Sequence, residues 1–264
     1  LQNACNNAAS GDIIKLTANI AMNRTALSIP QNKNITLDMQ GRTITWVGGR
    51  DDALPEPALT VNAGARLVIT GNGTFSLDRT ATGIRWDSSG EYRIYNRAYF
   101  INNYGNVIFE NGSVTINAYT KGTQSSSTGS GGRGQSLAYA VTNYSGATWI
   151  QNGGAITITV HCEMSPKSWF GSTGMMQSHA HGIIVNSGAS ATMNGGTINI
   201  TSTARPLDVD RDDGSLVTNN IHGVVNNGNF TFNGGTINIT GNSPAVKKPR
   251  VTHTQYIFSG NNKP

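Results

Sequence analysis

The residues able to do chemistry in this chain are cations and rings gathered in a few inserted stretches. Residues 78–97 hold Arg79, Arg85, Arg93 and Arg97 with Trp86, Tyr92 and Tyr95. Residues 118–137 hold Lys121 and Arg133 in a Ser/Gly-rich run, and 161–179 hold Lys167, Trp169 and Phe170. Guanidinium groups bind carboxylates bidentately, and large aromatic rings offer apolar faces with a polar tip. That combination suits an acidic sugar polymer. A second set appears when the segments after the insertions are aligned on Asn103, Asn143, Asn186 and Asn226. Tyr99, Tyr139, His181 and His222 then fall in one row, the His181 segment needing one extra residue. Two readings of the row stand: a structural aromatic stack, or a sugar-binding floor. The predicted ligand-binding residues are therefore Arg93, Arg97, Tyr99, Arg133, Tyr139, Lys167, Trp169, His179, His181 and His222.

Histidine normally titrates near pH 6.5. Exposed His179, His181 and His222 would gain charge between about pH 4 and 6, where a uronate stays ionised. Binding would then strengthen as pH falls, and burial of neutral histidines would erase the effect.

Other chemistry is thinner. Asp208-Val209-Asp210-Arg211-Asp212-Asp213 opens like a calcium loop, with Asp208, Asp210 and Asp212 as weak ligand candidates. An EF-hand needs Gly sixth and Glu twelfth, and here those places are Asp213 and Asn219. His179, His181 and His222 lack an evident fourth zinc ligand. His161-Cys162-Glu163 would project to alternating sides of a strand, a poor nucleophile arrangement. Glycoside hydrolysis needs two placed carboxylates, and the row supplies none. No cofactor or structural metal is expected.

The elements that would position these groups are repeats. Asn194-Gly195-Gly196-Thr197-Ile198-Asn199-Ile200-Thr201 recurs unchanged at Asn233–Thr240 and closely at Asn152–Thr159. Looser copies start at Asp38, Asn72 and Asn111, a spacing of about 32 to 42 residues. After each Asn-Gly turn, apolar and polar residues alternate as in a strand with one buried face. Two more strand-like pieces precede each turn, so three short strands make one coil. The pattern predicts an all-β fold, a right-handed single-stranded parallel β-helix of about seven coils. One domain spans 1–264. Residues 1–10 form an N-terminal cap, with Leu1, Ala4, Cys5 and Ala8 at helical spacing, and 242–264 form a C-terminal coil or cap. The insertions at 48–57, 78–97, 118–137, 161–179 and 201–220 all leave the solenoid as loops along one edge.

Composition narrows the class. Charged residues are 12% of the 264, Gly numbers 32, and the net charge is +5 with a pI of about 9.3. The charge favours an anionic partner. No basic run interleaved with aromatics points to nucleic acid, and no apolar run of ~18 residues spans a membrane. The chain begins without Met or signal peptide and reads as a domain cut from a longer protein. Cys5 and Cys162 stand about four coils apart, roughly 19 Å, too far for a bridge. A monomer is expected.

The opening segment, Leu1–Trp46, resembles the N-terminal coils of pectate-lyase-like β-helices in surface proteins of Gram-positive bacteria. The size and coil design also resemble the binding regions of serine-rich-repeat adhesins of gut lactobacilli. The resemblance implies a non-catalytic, cell-wall-attached extracellular adhesin domain. Its partner would be an acidic polysaccharide, a polyuronate or a host mucin-type glycan, held in a cleft walled by the loops. The alternative is a β-helical polysaccharide lyase or hydrolase acting on an acidic polymer.

Overall fold

The Asn-Gly-Gly corners explain the architecture. The second glycine has positive φ at Gly154 (70°), Gly196 (83°) and Gly235 (104°), a conformation L side chains resist. A Cβ on Gly154 would strike the carbonyl oxygen of Gly112, and one on Gly196 that of Gly154. Glycine is therefore required twice, for the turn and for the close stacking of corners. The asparagines ahead of them form an exposed ladder. Asn233 Nδ2 donates to Asn194 Oδ1 at 2.8 Å, Asn194 Nδ2 to Asn152 Oδ1 at 2.8 Å, and Asn152 Nδ2 to Glu110 Oε2 at 2.9 Å.

The computed structural model describes residues 1–22, 25–47, 57–82, 85–86, 92–123, 132–165, 175–206, 216–242 and 251–260. They build a three-sheet parallel β-helix. Sheet I has 7 strands, from Asp12–Lys15 to Asn229–Phe232; sheet II has 7, from Ile20–Ala21 to Thr236–Asn242; sheet III has 8, seven stacked from Leu27–Ile29 to Val251–Gly260 and the short antiparallel Arg85–Trp86 beside Tyr92–Asn103. Each coil runs through sheet III, then I, then II, and each stacked strand pairs in parallel with its equivalent one coil away. The inner columns are apolar. Ile44, Phe75, Ile116, Ile158, Ile200 and Ile239 are successive register partners in sheet II. Val114, Ile156, Ile198 and Ile237 form a parallel column, with Ile156 and Ile198 each 1% exposed and Ile237 partly buried near the end of the stack. Trp46, Phe75 and Phe100 pack edge and face inside the early coils.

The N-terminal helix is Gln2–Asn7. Cys5 and Ala8 join the core, whereas Ala4, predicted to face inward, is exposed. Gln2 does more than propensity suggests. Its amide accepts from Ser28 N at 2.7 Å and donates to Ser28 O at 2.8 Å, satisfying the backbone of the first strand of sheet III as another strand would. Lys33 Nζ donates to the carbonyls of Asn6 and Ala8 at the end of that helix. Cys5 and Cys162 are both buried thiols. Among the described residues no helix is long and apolar enough to cross a membrane.

The insertions are not simply loops. Much of their length extends strands of sheets II and III beyond the coil. Ser113–Thr123 and Ala155–Ser165 pair continuously over 11 residues, and Tyr92–Asn103 and Gly132–Asn143 are 12 residues each, against 4 for the sheet I strands that join them. Parallel pairing satisfies the backbone of these excursions, so the inserted sequence adds sheet. Small inward residues let the two sheets approach there. A Cβ on Gly182 would come within 2.6 Å of Ile200 Cγ2, and one on Gly223 would collide with Ile239.

Candidate functional site

The outer face of sheet III carries the ring row, and strand alternation puts it there. Ala98, Phe100, Ala138, Ala140 and Ala180 turn inward and are buried, leaving Tyr99, Tyr139 and His181 outward and half-buried. Register makes Tyr99, Tyr139, His181, His222 and Tyr256 successive partners. No extra residue is needed. Asn103 and Asn143 pair with Val185 and then Asn226, so the alignment on Asn186 was one residue late. Val185 takes a fully buried inward place that Asn103, Asn143 and Asn226 fill in neighbouring coils and Ile29 and Val61 fill in the first ones. There Asn103 Nδ2 donates to Asn143 Oδ1 at 2.9 Å, and Asn103 Oδ1 accepts from Gly105 N at 3.1 Å, tying the corner from within.

The rings stack on one another. Centroids lie 5.2 Å apart for Tyr99–Tyr139, 4.7 Å for Tyr139–His181 and 4.5 Å for His181–His222, at 33°, 18° and 31°. Stacked rings cover one another's faces, so this row is not the flat platform a sugar face needs, and the ring nitrogens of His181 and His222 are buried. His179 stands beside it, 5.8 Å from His181 at 6°. Asn220 Nδ2 lies 3.2 Å from His179 Nε2 and donates to it in the tautomer that leaves Nε2 unprotonated.

Burial sets the protonation of these histidines. Desolvation, then the neighbouring His222 and His179, push His181 down to about 3. Desolvation and His222 lower His179, and desolvation lowers His222. The expected charging between about pH 4 and 6 therefore does not apply to His181, which stays neutral through that window, and the other two move downward with it. Both ring nitrogens of His181 are buried without a hydrogen-bond partner among the described residues, an arrangement that costs about 1–3 kcal/mol per polar group.

The predicted cations divide. Arg93 is the register partner of Arg133 in the next strand and of Arg85 in a short antiparallel strand, so three arginines share one row of the extended sheet. Arg97 is the partner of Leu137, two residues before the ring row. Lys167, Trp169, Asp208, Asp210 and Asp212 lie outside the described residues. Among the described residues no group of three or more His, Cys, Asp or Glu is arranged to hold a metal ion.

The sequence reading missed a second pair of rings. Tyr104 and Tyr144 stack at 4.4 Å and 12° at the corner between sheets III and I. Burial, then Tyr104 and Tyr99, raise Tyr144 to about 12, which keeps its phenol protonated. The available signal was the repeated dipeptide Asn103-Tyr104 and Asn143-Tyr144, one residue past the alignment anchor.

No family model matches this chain, and no curated protein or solved structure is significantly similar to it. The fold itself defines the class: a parallel β-helix solenoid.

Proposed function

We propose that this β-helix is a non-catalytic binding domain for acidic polysaccharide, displayed outside the cell as part of a bacterial surface adhesin, and that sheet III is its binding face. The observation that carries the reading is the register of that sheet. It sets Arg85, Arg93 and Arg133 in one row and Tyr99, Tyr139, His181 and His222 in another, with Arg93 and Tyr99 on one strand and Arg133 and Tyr139 on the next. The first row supplies charge for carboxylates, and the phenols of Tyr99 and Tyr139 in the second supply hydrogen bonds for hydroxyls. A net charge of +5 adds long-range attraction to a polyanion.

The test is binding of the whole domain to polygalacturonate and to a neutral galactan, at low and high salt. Preference for the polyanion, weakened by salt, is expected. Arg93→Ala and Arg133→Ala should each weaken the polyanion by about 1–3 kcal/mol and leave the neutral polymer and the melting temperature unchanged. Equal binding of both polymers removes the charge argument. Release of unsaturated or reducing ends during the assay replaces the binding domain with an enzyme.

A further inference from the structure

The corner bearing Tyr104 and Tyr144 is built differently from the ring row. Tyr104 N donates to Val61 O at 2.8 Å and Tyr144 N to Asn103 O at 2.9 Å, so the two tyrosines occupy the same place in adjacent coils. In the coil before them that place is Asn62, whose backbone N donates to Ile29 O. The ring column therefore starts at Tyr104. Tyr144 covers one face of Tyr104, and the ring is 40% exposed.

Beneath its other face lies a low step. Asn62 turns its amide away to the earlier coil, donating to Ser28 Oγ at 2.8 Å and Ile29 O at 2.7 Å. Ala63 and Gly64 follow, small and exposed. Gly64 has φ +73°, and a Cβ there would collide with Asn32, so the step is held low.

Polar groups border the step. Arg66 begins the next strand of that same coil and is the register partner of Asn106, two residues past Tyr104. It is partly exposed and makes no ion pair among the described residues. Asn102, the last outward residue before Tyr104, is only 7% exposed, and its Oδ1 has no hydrogen-bond donor among the described residues. A buried acceptor in that state is completed by an ordered water or by a donor of a bound molecule. These are an apolar ring face, a cation and an unmatched acceptor, within one coil step.

We infer that this corner is a subsite for a uronic acid residue of the bound polysaccharide. The inference rests on the glycan-binding reading and gives it a defined contact. The apolar face of the pyranose lies on the open face of Tyr104, above Ala63 and Gly64, and extends the Tyr104–Tyr144 stack by one ring. The carboxylate pairs with Arg66. Few, placed polar groups beside an aromatic surface are the usual make-up of a sugar-sized site.

The experiment titrates the whole domain with an α-1,4-linked galacturonate trimer and with a galactose trimer of the same linkage. The variants are Tyr104→Ala, Tyr104→Phe and Arg66→Gln. Tyr104→Ala should weaken the galacturonate trimer about tenfold or more, and Tyr104→Phe should keep affinity within about threefold. Arg66→Gln should weaken the galacturonate trimer about tenfold and leave the neutral trimer unchanged. All variants should still melt cooperatively, Tyr104→Ala a little lower for loss of the Tyr144 stack and the other two close to wild type. If wild type binds the galacturonate trimer and Tyr104→Ala binds it within twofold, the corner is not the subsite; loss on Arg93→Ala or Arg133→Ala would then leave the sheet III reading standing. If wild type binds neither trimer nor polygalacturonate, both fall.

Discussion

Acid should destabilise this solenoid through His181, and the size of the effect follows from its burial. The unperturbed imidazole titrates near 6.5, and burial beside His222 and His179 lowers it to about 3 in the fold. The folded state thus takes up the proton later than the unfolded state. The sign follows: His181 is neutral in both states above pH 6.5, where its contribution is fully present, and stability is lost as pH falls toward 3. The slope is about 1.36 kcal/mol per pH unit, so between pH 6.5 and 4 this one side chain removes about 3 kcal/mol. That is a large share of a stability of about 5–15 kcal/mol. Carboxylates titrate in the same range, so the comparison must be a difference. His181→Tyr suits it, because Tyr139 occupies the adjacent place in the same row; His181→Gln serves as a smaller second variant. Urea unfolding at pH 7, 5.5 and 4 should show wild type losing about 3 kcal/mol more than either variant. Parallel losses, within about 0.5 kcal/mol, would refute the reasoning by showing that His181 is protonated as easily in the fold as outside it.

Further outcomes test the coil geometry. Ile198→Asp places a charge in the column of Ile156 and Ile237, where Ile198 is 1% exposed; unfolding or aggregation, seen by size-exclusion chromatography and loss of a cooperative melt, is expected. Gly196→Ala should cost about 1–3 kcal/mol by thermal melting, from positive φ and collision with Gly154. Gly146→Ala has a similar φ of +81° but open space, and should cost less. Gln2→Ala removes both side-chain bonds to Ser28, so hydrogen exchange at the Ser28 amide should quicken, while a strand in the middle of the stack such as Ile156–Val160 keeps its protection.

The sequence alone determined the solenoid. Asn-Gly-Gly followed by Thr-Ile-Asn-Ile states both a corner and a half-buried strand, and its recurrence states stacking, because local turn chemistry and a period of two need no distant partner to be read. The same locality brought Tyr99, Tyr139, His181 and His222 into one row, since equivalent places in adjacent coils must stack. What lay between the repeats could not be read this way. The stretches around Tyr119 and Arg133 look like loops by composition, yet pairing with their neighbours one coil away makes strands of much of them. Strand extension there depends on a partner some 40 residues distant, not on local propensity. Tertiary structure also decided the chemistry of the row. Charge on His181 is a matter of solvent access, and ring faces are open or closed according to what stacks on them. Tyr104 keeps an open face because the coil before it carries Asn62 in the same place, a juxtaposition that exists only once the coils are stacked.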